Sequence, residues 1–162
     1  MAKLHVKKIP QDYAERAVLV GVKRPNQQRS TESSLAELER LAQTAGAEVV
    51  ATTFQRLESP NPRTFIGSGK VDEVAQLCRS YAADLVIFDD ELTPSQQSNL
   101  EKQVGKDIKI IDRTALILDI FALHATSREG RLQVRLAQNE YLLPRLRGMW
   151  AHLASNRMGG GV

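Results

Sequence analysis

Three short groups of residues in this chain are of types that can do chemistry. The first is rich in glycine and ends in a lysine, the second is acidic, and the third is a set of arginines near the C-terminus. A glycine-rich helix start can bind phosphate, carboxylates can hold a metal ion, and arginines can pair with phosphate groups. The three groups are Gly67, Ser68, Gly69 and Lys70; Asp89, Asp90 and Glu91; and Arg128, Arg131, Arg135, Arg145 and Arg147.

The glycine-rich group is an incomplete phosphate-binding loop. A Walker A loop needs a glycine five residues before the final glycine of its Gly-Lys-Ser/Thr, and a hydroxyl directly after the lysine. Thr64 and Val71 occupy these two positions here. We therefore expect an ordinary loop and helix start, with phosphate binding by Gly67–Lys70 as the alternative.

The acidic group follows a predicted strand, and open α/β sheets bind ligands at the carboxyl ends of their strands. Asp89, Asp90 and Glu91 can hold Mg²⁺ in that position, although a solvated turn between strand and helix is the simpler interpretation. Together with Gly67–Lys70, these carboxylates form an alternative nucleotide or magnesium site.

The arginines carry the positive charge of the chain. Residues 126–162 contain six arginines and two glutamates, whereas residues 1–125 contain 16 basic and 17 acidic residues. Arg128, Arg131 and Arg135 are spaced three and four residues apart, so they share one face of a predicted helix. Such a face can meet RNA phosphates, and a solvated charged face is the ordinary alternative.

A regular alternation of strands and helices must position these groups. The predicted strands are Ala17–Val22, Glu48–Phe54, Asp84–Asp89 and Asp107–Ile111, with a helix after each. Short connections of this kind predict right-handed βαβ units. The fold class is therefore α/β: a four-stranded, mostly parallel sheet with flanking helices, followed by a long C-terminal helix.

Helix starts are marked by residues that cap the first backbone N–H groups. Thr93, followed by Pro94 and Gln96, predicts one start. Ser34 with Glu37 predicts another, although Ser30 or Thr31 is an earlier alternative. Asp112 precedes a strongly apolar segment, and we expect it to cap that helix and to do nothing more.

The C-terminal helix has a stripe of apolar residues spaced alternately four and three residues apart. A stripe of this kind needs a partner helix, so self-association is expected without one. Pro144 predicts a kink within this helix. The positions of the stripe are Leu132, Leu136, Asn139, Leu143, Leu146, Trp150 and Leu153.

Composition excludes several other classes of protein. The chain has 162 residues, of which 42% are hydrophobic and 25% charged, as in folded globular domains. The single cysteine, Cys78, rules out an internal disulfide. No apolar run is long enough to span a membrane, so a cytoplasmic protein is expected. The histidines His5, His124 and His152 have no metal-ligand spacing, and no metal site is expected from them.

Several motifs in a fixed order resemble the HflX-type GTPases, and the resemblance covers nearly the whole chain after about Glu15. The motifs are Pro62-x-x-Phe65-Ile66-Gly67-Ser68-Gly69-Lys70-Val71, Phe88-Asp89-Asp90-Glu91-Leu92, Asp112-Arg113-Thr114, Arg128-Glu129-Gly130-x-Leu132-Gln133-Val134-x-Leu136-Ala137-Gln138 and Leu142-Leu143-Pro144-Arg145-Leu146.

This resemblance implies an N-terminal α/β domain over residues 1–125 and the first helix of an antiparallel helical hairpin over residues 126–162. Gly159, Gly160 and Gly161 would begin a glycine-rich tip that reaches toward the peptidyl-transferase region. It also implies a GTPase domain in cis that uses GTP and Mg²⁺. The implied partner is the RNA of the large ribosomal subunit, and the implied role is to split or rescue ribosomes under stress.

The sequence departs from the family pattern in one respect. The 162 residues contain neither Gly-x-x-x-x-Gly-Lys-Ser/Thr nor the base-reading Asn-Lys-x-Asp. No GTP-site or catalytic residue can therefore be assigned, and we expect no GTP hydrolysis by these residues. The candidates for RNA contact are the five arginines, Lys70 and the three tip glycines. The rival hypothesis is a small nucleotide- or magnesium-binding domain with its own activity.

Overall fold

The computed structural model describes residues 14–146 of the chain. Within them, four strands and five α-helices alternate in the predicted order, and a short 3₁₀ turn over Leu143–Arg145 follows the last helix. The strands are β1 (Arg16–Lys23), β2 (Glu48–Arg56), β3 (Leu85–Phe88) and β4 (Lys109–Asp112). The helices are α1 (Thr31–Thr44), α2 (Ser68–Ser80), α3 (Pro94–Val104), α4 (Arg113–His124) and α5 (Arg128–Leu142).

The four described strands form one parallel sheet in the order β2-β1-β3-β4. This confirms the α/β class predicted from the alternation of elements. All four residues of β3 are buried, because helices cover both faces of the sheet. The chain turns outward in opposite directions from β1 and from β3, which makes the carboxyl ends of these two strands the topological switch point.

Two apolar cores lie on opposite faces of the sheet, since successive residues of a strand point to opposite sides. One core lies between the sheet and helices α2 and α3, and the other lies between the sheet and helices α1 and α4. The first includes Val18, Val20, Val71, Val74 and Leu100, and the second includes Ala17, Leu19, Leu35, Leu38 and Leu116.

The capping signals account for most helix starts. Thr93 and Gln96 form the predicted capping box before α3, with Pro94 in the first turn. Ser30 caps α1 by accepting a hydrogen bond from the N–H of Ser33 at 3.1 Å. The prediction of a start at Ser34 was therefore wrong, and the earlier alternative is confirmed.

Helix α5 lies against α4, and none of its residues is fully buried. The predicted stripe faces away from the body: Leu132, Leu136 and Leu143 are exposed to 57%, 59% and 65%. The half-buried side of α5 is a different one, made by Val134, Ala137, Gln138, Tyr141 and Leu142.

The end of α5 differs from the predicted kink. The α-helix ends at Leu142, and Pro144 lies in the 3₁₀ turn that follows, because proline has no N–H with which to continue the α-helical hydrogen bonds. Arg147, Trp150, Leu153 and the glycines at 159–161 lie outside the described residues. No helix between residues 14 and 146 is both long and apolar enough to cross a membrane.

Candidate functional site

The glycine-rich group forms the start of α2, as the ordinary interpretation predicted. Gly67 is the N-cap residue, and its N–H donates to the Oε1 atom of Gln55 at 2.9 Å. Lys70 forms an ion pair with Glu73 one turn along the same helix, and its side chain is only 16% exposed. The N–H of Gly67 and the ammonium group of Lys70, both of which would be needed to bind a phosphate, thus already have partners within the chain. With Val71 in place of a magnesium-binding hydroxyl, these residues do not fit GTP and Mg²⁺.

The loop before α2 is fixed by side chains of α3. Gln96 donates to the carbonyl of Asn61 at 2.9 Å, and Asn99 donates to the carbonyl of Arg63 at 3.0 Å. Phe65 is buried and packs edge-on against Phe88, with 6.3 Å between ring centroids. Its backbone φ of 66° is rare for a residue with a bulky side chain. The loop therefore has one defined shape, which the sequence alone did not indicate.

Each of the three predicted carboxylates forms an ion pair with an arginine. A guanidinium therefore occupies the place beside each carboxylate where a metal ion would bind. Burial raises the pKa of the Asp90 carboxyl, and the neighbouring arginine offsets part of that effect. Among residues 14–146, no three His, Cys, Asp or Glu side chains are grouped so that they could hold a metal ion. The pairs are Asp89 with Arg113 at 2.6 Å, Asp90 with Arg24 at 3.6 Å and Glu91 with Arg145 at 3.5 Å.

Arg113 occupies the switch point of the sheet, and sequence reasoning assigned it no role. Its guanidinium donates to Asp89 after β3, to Glu37 in α1 at 2.7 Å, and to the carbonyl of Ser34 at 3.0 Å. Burial acts to lower the pKa of Arg113, but its bonds to the two carboxylates raise it overall. The available signal was topological: Asp89 and Arg113 follow adjacent strands of one parallel sheet.

Asp112 joins helices α4 and α5 and the loop before α3 at the same edge, and so does more than the predicted capping. Its fully buried carboxylate accepts from the N–H of Ala115 at 2.9 Å, which caps α4, and from the N–H of Leu92 at 3.0 Å. It also accepts a hydrogen bond from the hydroxyl of Tyr141 in α5. Burial and the Asp112 carboxylate together raise the pKa of Tyr141 well above its ordinary value.

Arg145 differs from Arg128, Arg131 and Arg135 because its side chain is buried. It donates to the carbonyl of Leu92 at 2.7 Å and to the carbonyl of Tyr141 at 2.9 Å. The guanidinium carbon lies 3.6 Å from the centre of the Tyr141 ring, a close cation–π contact. These contacts bind Arg145 to the body of the domain instead of leaving it open to an RNA phosphate.

Arg128, Arg131 and Arg135 are exposed on α5, on one face as predicted. Ser127 caps this helix by accepting from the N–H of Gly130 at 2.9 Å. None of the three arginines forms an ion pair with another residue in the part of the chain that the structure describes. Their charges are therefore available to a partner.

The described residues thus define an α/β domain whose appended helix presents a row of unpaired arginines. A family model described as "GTP-binding GTPase N-terminal" matches residues 32–122, and one described as "GTP-binding GTPase Middle Region" matches residues 124–162. The chain belongs to the HflX family of GTP-binding proteins.

Curated relatives named GTPase HflX match almost the whole chain. The protein of Flavobacterium psychrophilum is 48% identical over 149 residues, which are 91% of this chain and 36% of the relative. That of Alkalihalophilus pseudofirmus is 51% identical over 95% of this chain and 36% of the relative. The Escherichia coli protein is 40% identical over 93% of this chain and 34% of the relative. The chain thus spans about a third of the length of these relatives.

Solved structures show the same architecture. A GTP-binding protein from Sulfolobus solfataricus in complex with GDP is 25% identical and has a TM-score of 0.62, covering 82% of this chain and 38% of that one. A further structure, described as SsGBP with GDP, is 26% identical with a TM-score of 0.65 and covers 82% of this chain and 36% of that one.

Proposed function

We propose that this chain is the ribosome- and RNA-docking part of an HflX-type GTPase, which binds the large ribosomal subunit and helps to split or rescue ribosomes. The observation that carries the proposal is the exposed row of Arg128, Arg131 and Arg135 on α5, which has no ion-pair partner within residues 14–146. Guanidinium groups pair with phosphates through two parallel hydrogen bonds, and several on one face hold a backbone in register.

The charge distribution supports α5 as the RNA-facing element. At the carboxyl edge of the sheet, Arg24 and Arg113 of the α/β body are paired with carboxylates, and so is Arg145 in the turn after α5. Lys70, a secondary candidate, is paired with Glu73. The arginines of α5 have no such partners among the described residues, so their charges are free to attract a polyanion.

The role of these residues is to position the protein, not to carry out chemistry. GTP hydrolysis with Mg²⁺ is expected of the GTPase domain that the curated relatives' name implies, which is the partner of this chain in cis. The carboxylates and the glycine-rich group of the present chain are held by internal contacts. The rival hypothesis of an independent nucleotide or magnesium site therefore has less support.

The outward stripe of α5 has a separate role in this proposal. Leu132, Leu136 and Leu143 face solvent in the described part of the chain, and they suit a second, antiparallel helix of the same protein. The tip glycines Gly159–Gly161 and Arg147 would then extend the RNA contact beyond α5.

Binding to isolated large ribosomal subunits tests this function. The 162-residue chain should co-sediment with the subunits, and Ala substitution of Arg128, Arg131 and Arg135 together should weaken the binding. A matched control replaces Arg40, Arg63 and Arg79, which are exposed on the α/β body, and so removes the same charge. Equal binding by both triple variants would refute the assignment to α5.

A further inference from the structure

We infer that Tyr141 and Arg145 form a polar latch that fixes the direction of α5 against the α/β body and thereby positions the arginine row. The latch follows from the geometry of the described residues. Its second part, the effect on the arginine row, rests on the function proposed above.

The first half of the latch is the hydrogen bond from Tyr141 to Asp112. Asp112 is fully buried, and a buried carboxylate must keep its hydrogen-bond partners. Its Oδ1 atom caps α4 through the N–H of Ala115, and its Oδ2 atom accepts from both Leu92 and Tyr141. The last turn of α5 is therefore tied to the first turn of α4 and to Leu92 in the loop before α3.

The second half is the guanidinium of Arg145, which is held at the same place. Arg145 binds the carbonyl of Leu92, while Asp112 binds the N–H of Leu92. The same guanidinium binds the carbonyl of Tyr141 and stacks on its ring. Only a planar group with several donors can make all of these contacts, so lysine is not an equivalent replacement.

Apolar packing alone gives α5 little hold on the body. No residue of α5 is fully buried, and its side toward α4 is only half-buried. The short connection Ala125–Ser127 fixes one end of the helix, and the latch fixes the other. Two fixed ends define the direction of α5 and the point at Leu146 from which the chain continues. Without the latch, that connection, the half-buried side and an exposed hydrogen bond from Gln138 to Asp119 of α4 at 3.2 Å are what hold the helix.

Loss of the latch should change the direction of α5, and the three arginines should move together with the helix. Arg128, Arg131 and Arg135 lie on one helix, so a change in its direction alters their position relative to the body but not their mutual spacing. The number of phosphates that they neutralise stays the same, so the slope of affinity against salt should stay the same while the affinity falls.

A distance measurement by pulsed electron spin resonance tests the latch without any ribosome. Spin labels at Gln103→Cys in α3 and Glu140→Cys in α5 lie at exposed positions. The native Cys78 is buried away from the label, and the same burial raises the pKa of its thiol to about 11. We expect Tyr141→Phe and Arg145→Lys each to broaden and lengthen the distance distribution. The control Asn139→Ala, at an exposed position of the same helix, should leave it unchanged.

Binding to large subunits then tests the positioning role in the same variants. Tyr141→Phe should bind about tenfold more weakly, the cost of one buried hydrogen bond to a charged group, with an unchanged salt slope. Amide spectra of β1 and β3 verify that the body stays folded. Unchanged distances in both variants would overturn the latch. If the distances change but even the unsubstituted chain fails to bind subunits, the proposed function fails and the latch stands.

Discussion

The hydroxyl of Tyr141 donates to the carboxylate of Asp112, a residue 29 positions earlier in the chain. This bond joins the end of α5 to the start of α4, at the carboxyl edge of the sheet. Arg113, the next residue, binds Asp89 at the same edge. Two consecutive residues, the last of β4 and the first of α4, therefore organise the connections of the domain: Asp112 holds α5 against the body, and Arg113 links Asp89 to α1.

Replacing Asp112 should destabilise the domain strongly. Asp112→Ala removes the cap of α4, worth about 1 kcal/mol, and leaves the N–H of Leu92 and the hydroxyl of Tyr141 without a partner, at about 1–3 kcal/mol each. We expect a total loss of about 3–7 kcal/mol in the free energy of unfolding, measured by urea denaturation followed by circular dichroism. Asp107→Ala, at an exposed position, should change it by less than about 0.5 kcal/mol. Equal effects of the two substitutions would contradict the role of Asp112.

Local signals in the sequence predict the strands, the capping box at Thr93 and the cap at Asp112, because each depends on residues close together in the chain. The contacts of Tyr141 and Arg145 depend on α5 folding back onto the body, which no local pattern specifies. The spacing of the two residues, four apart, places them on one helix face but does not reveal what that face meets. The same limit applies to Phe65, whose backbone conformation is held by α3 and by the core.

The leucine stripe of α5 illustrates the difference between a pattern and its partner. The spacing of Leu132 and Leu136 predicts an apolar face, and the structure has that face. The leucine spacing does not predict that the body packs against the other side of α5, through Val134 and Tyr141. The regular spacing of the leucines therefore marks only one of the two surfaces through which α5 can make contacts.

The arginine row should determine how binding to ribosomal subunits depends on salt. Each arginine that neutralises a phosphate releases counterions, so the logarithm of the affinity falls with the logarithm of the salt concentration by about 0.7–0.9 for each contact. The variant with Arg128, Arg131 and Arg135 replaced by Ala should therefore reduce this slope by about 2–3. Fluorescence anisotropy of the labelled chain at a series of KCl concentrations measures it. A slope equal to that of the unsubstituted chain would show that these side chains do not meet phosphates.

Glu37 should contribute to stability only at pH values where it is ionised. Hydrogen bonds from Arg29 and Arg113 lower the pKa of Glu37 in the folded protein below its ordinary value of 4.5. A carboxyl with a lowered folded pKa stabilises the fold above its unfolded pKa, and this contribution is lost as the pH falls through the folded pKa. The difference in unfolding free energy between the native chain and Glu37→Gln should therefore be constant above about pH 5.5 and shrink as the pH falls below 4.5.

Glu39→Gln is the matched control for this measurement, since Glu39 forms no ion pair within residues 14–146. Its unfolding free energy should follow that of the native chain across the same pH range. A difference for Glu37→Gln that does not vary with pH would mean that the ionised carboxylate is not what joins α1 to Arg113.

The outward stripe of α5 should make the chain self-associate as its concentration rises. Leu132 and Leu136 are more than half exposed, and burying such side chains between two copies removes apolar surface from water. Light scattering over a range of concentrations should give a mass that increases beyond that of a monomer.

Replacing both leucines with Gln should keep the chain monomeric. Because neither side chain packs in a described core, the substitutions should leave the unfolding free energy of the body nearly unchanged. Tyr81→Gln, which removes an exposed apolar side chain from the end of α2, should not prevent association. If the double leucine variant associates as strongly as the native chain, the interface lies on another surface, and α5 carries its stripe for a different partner.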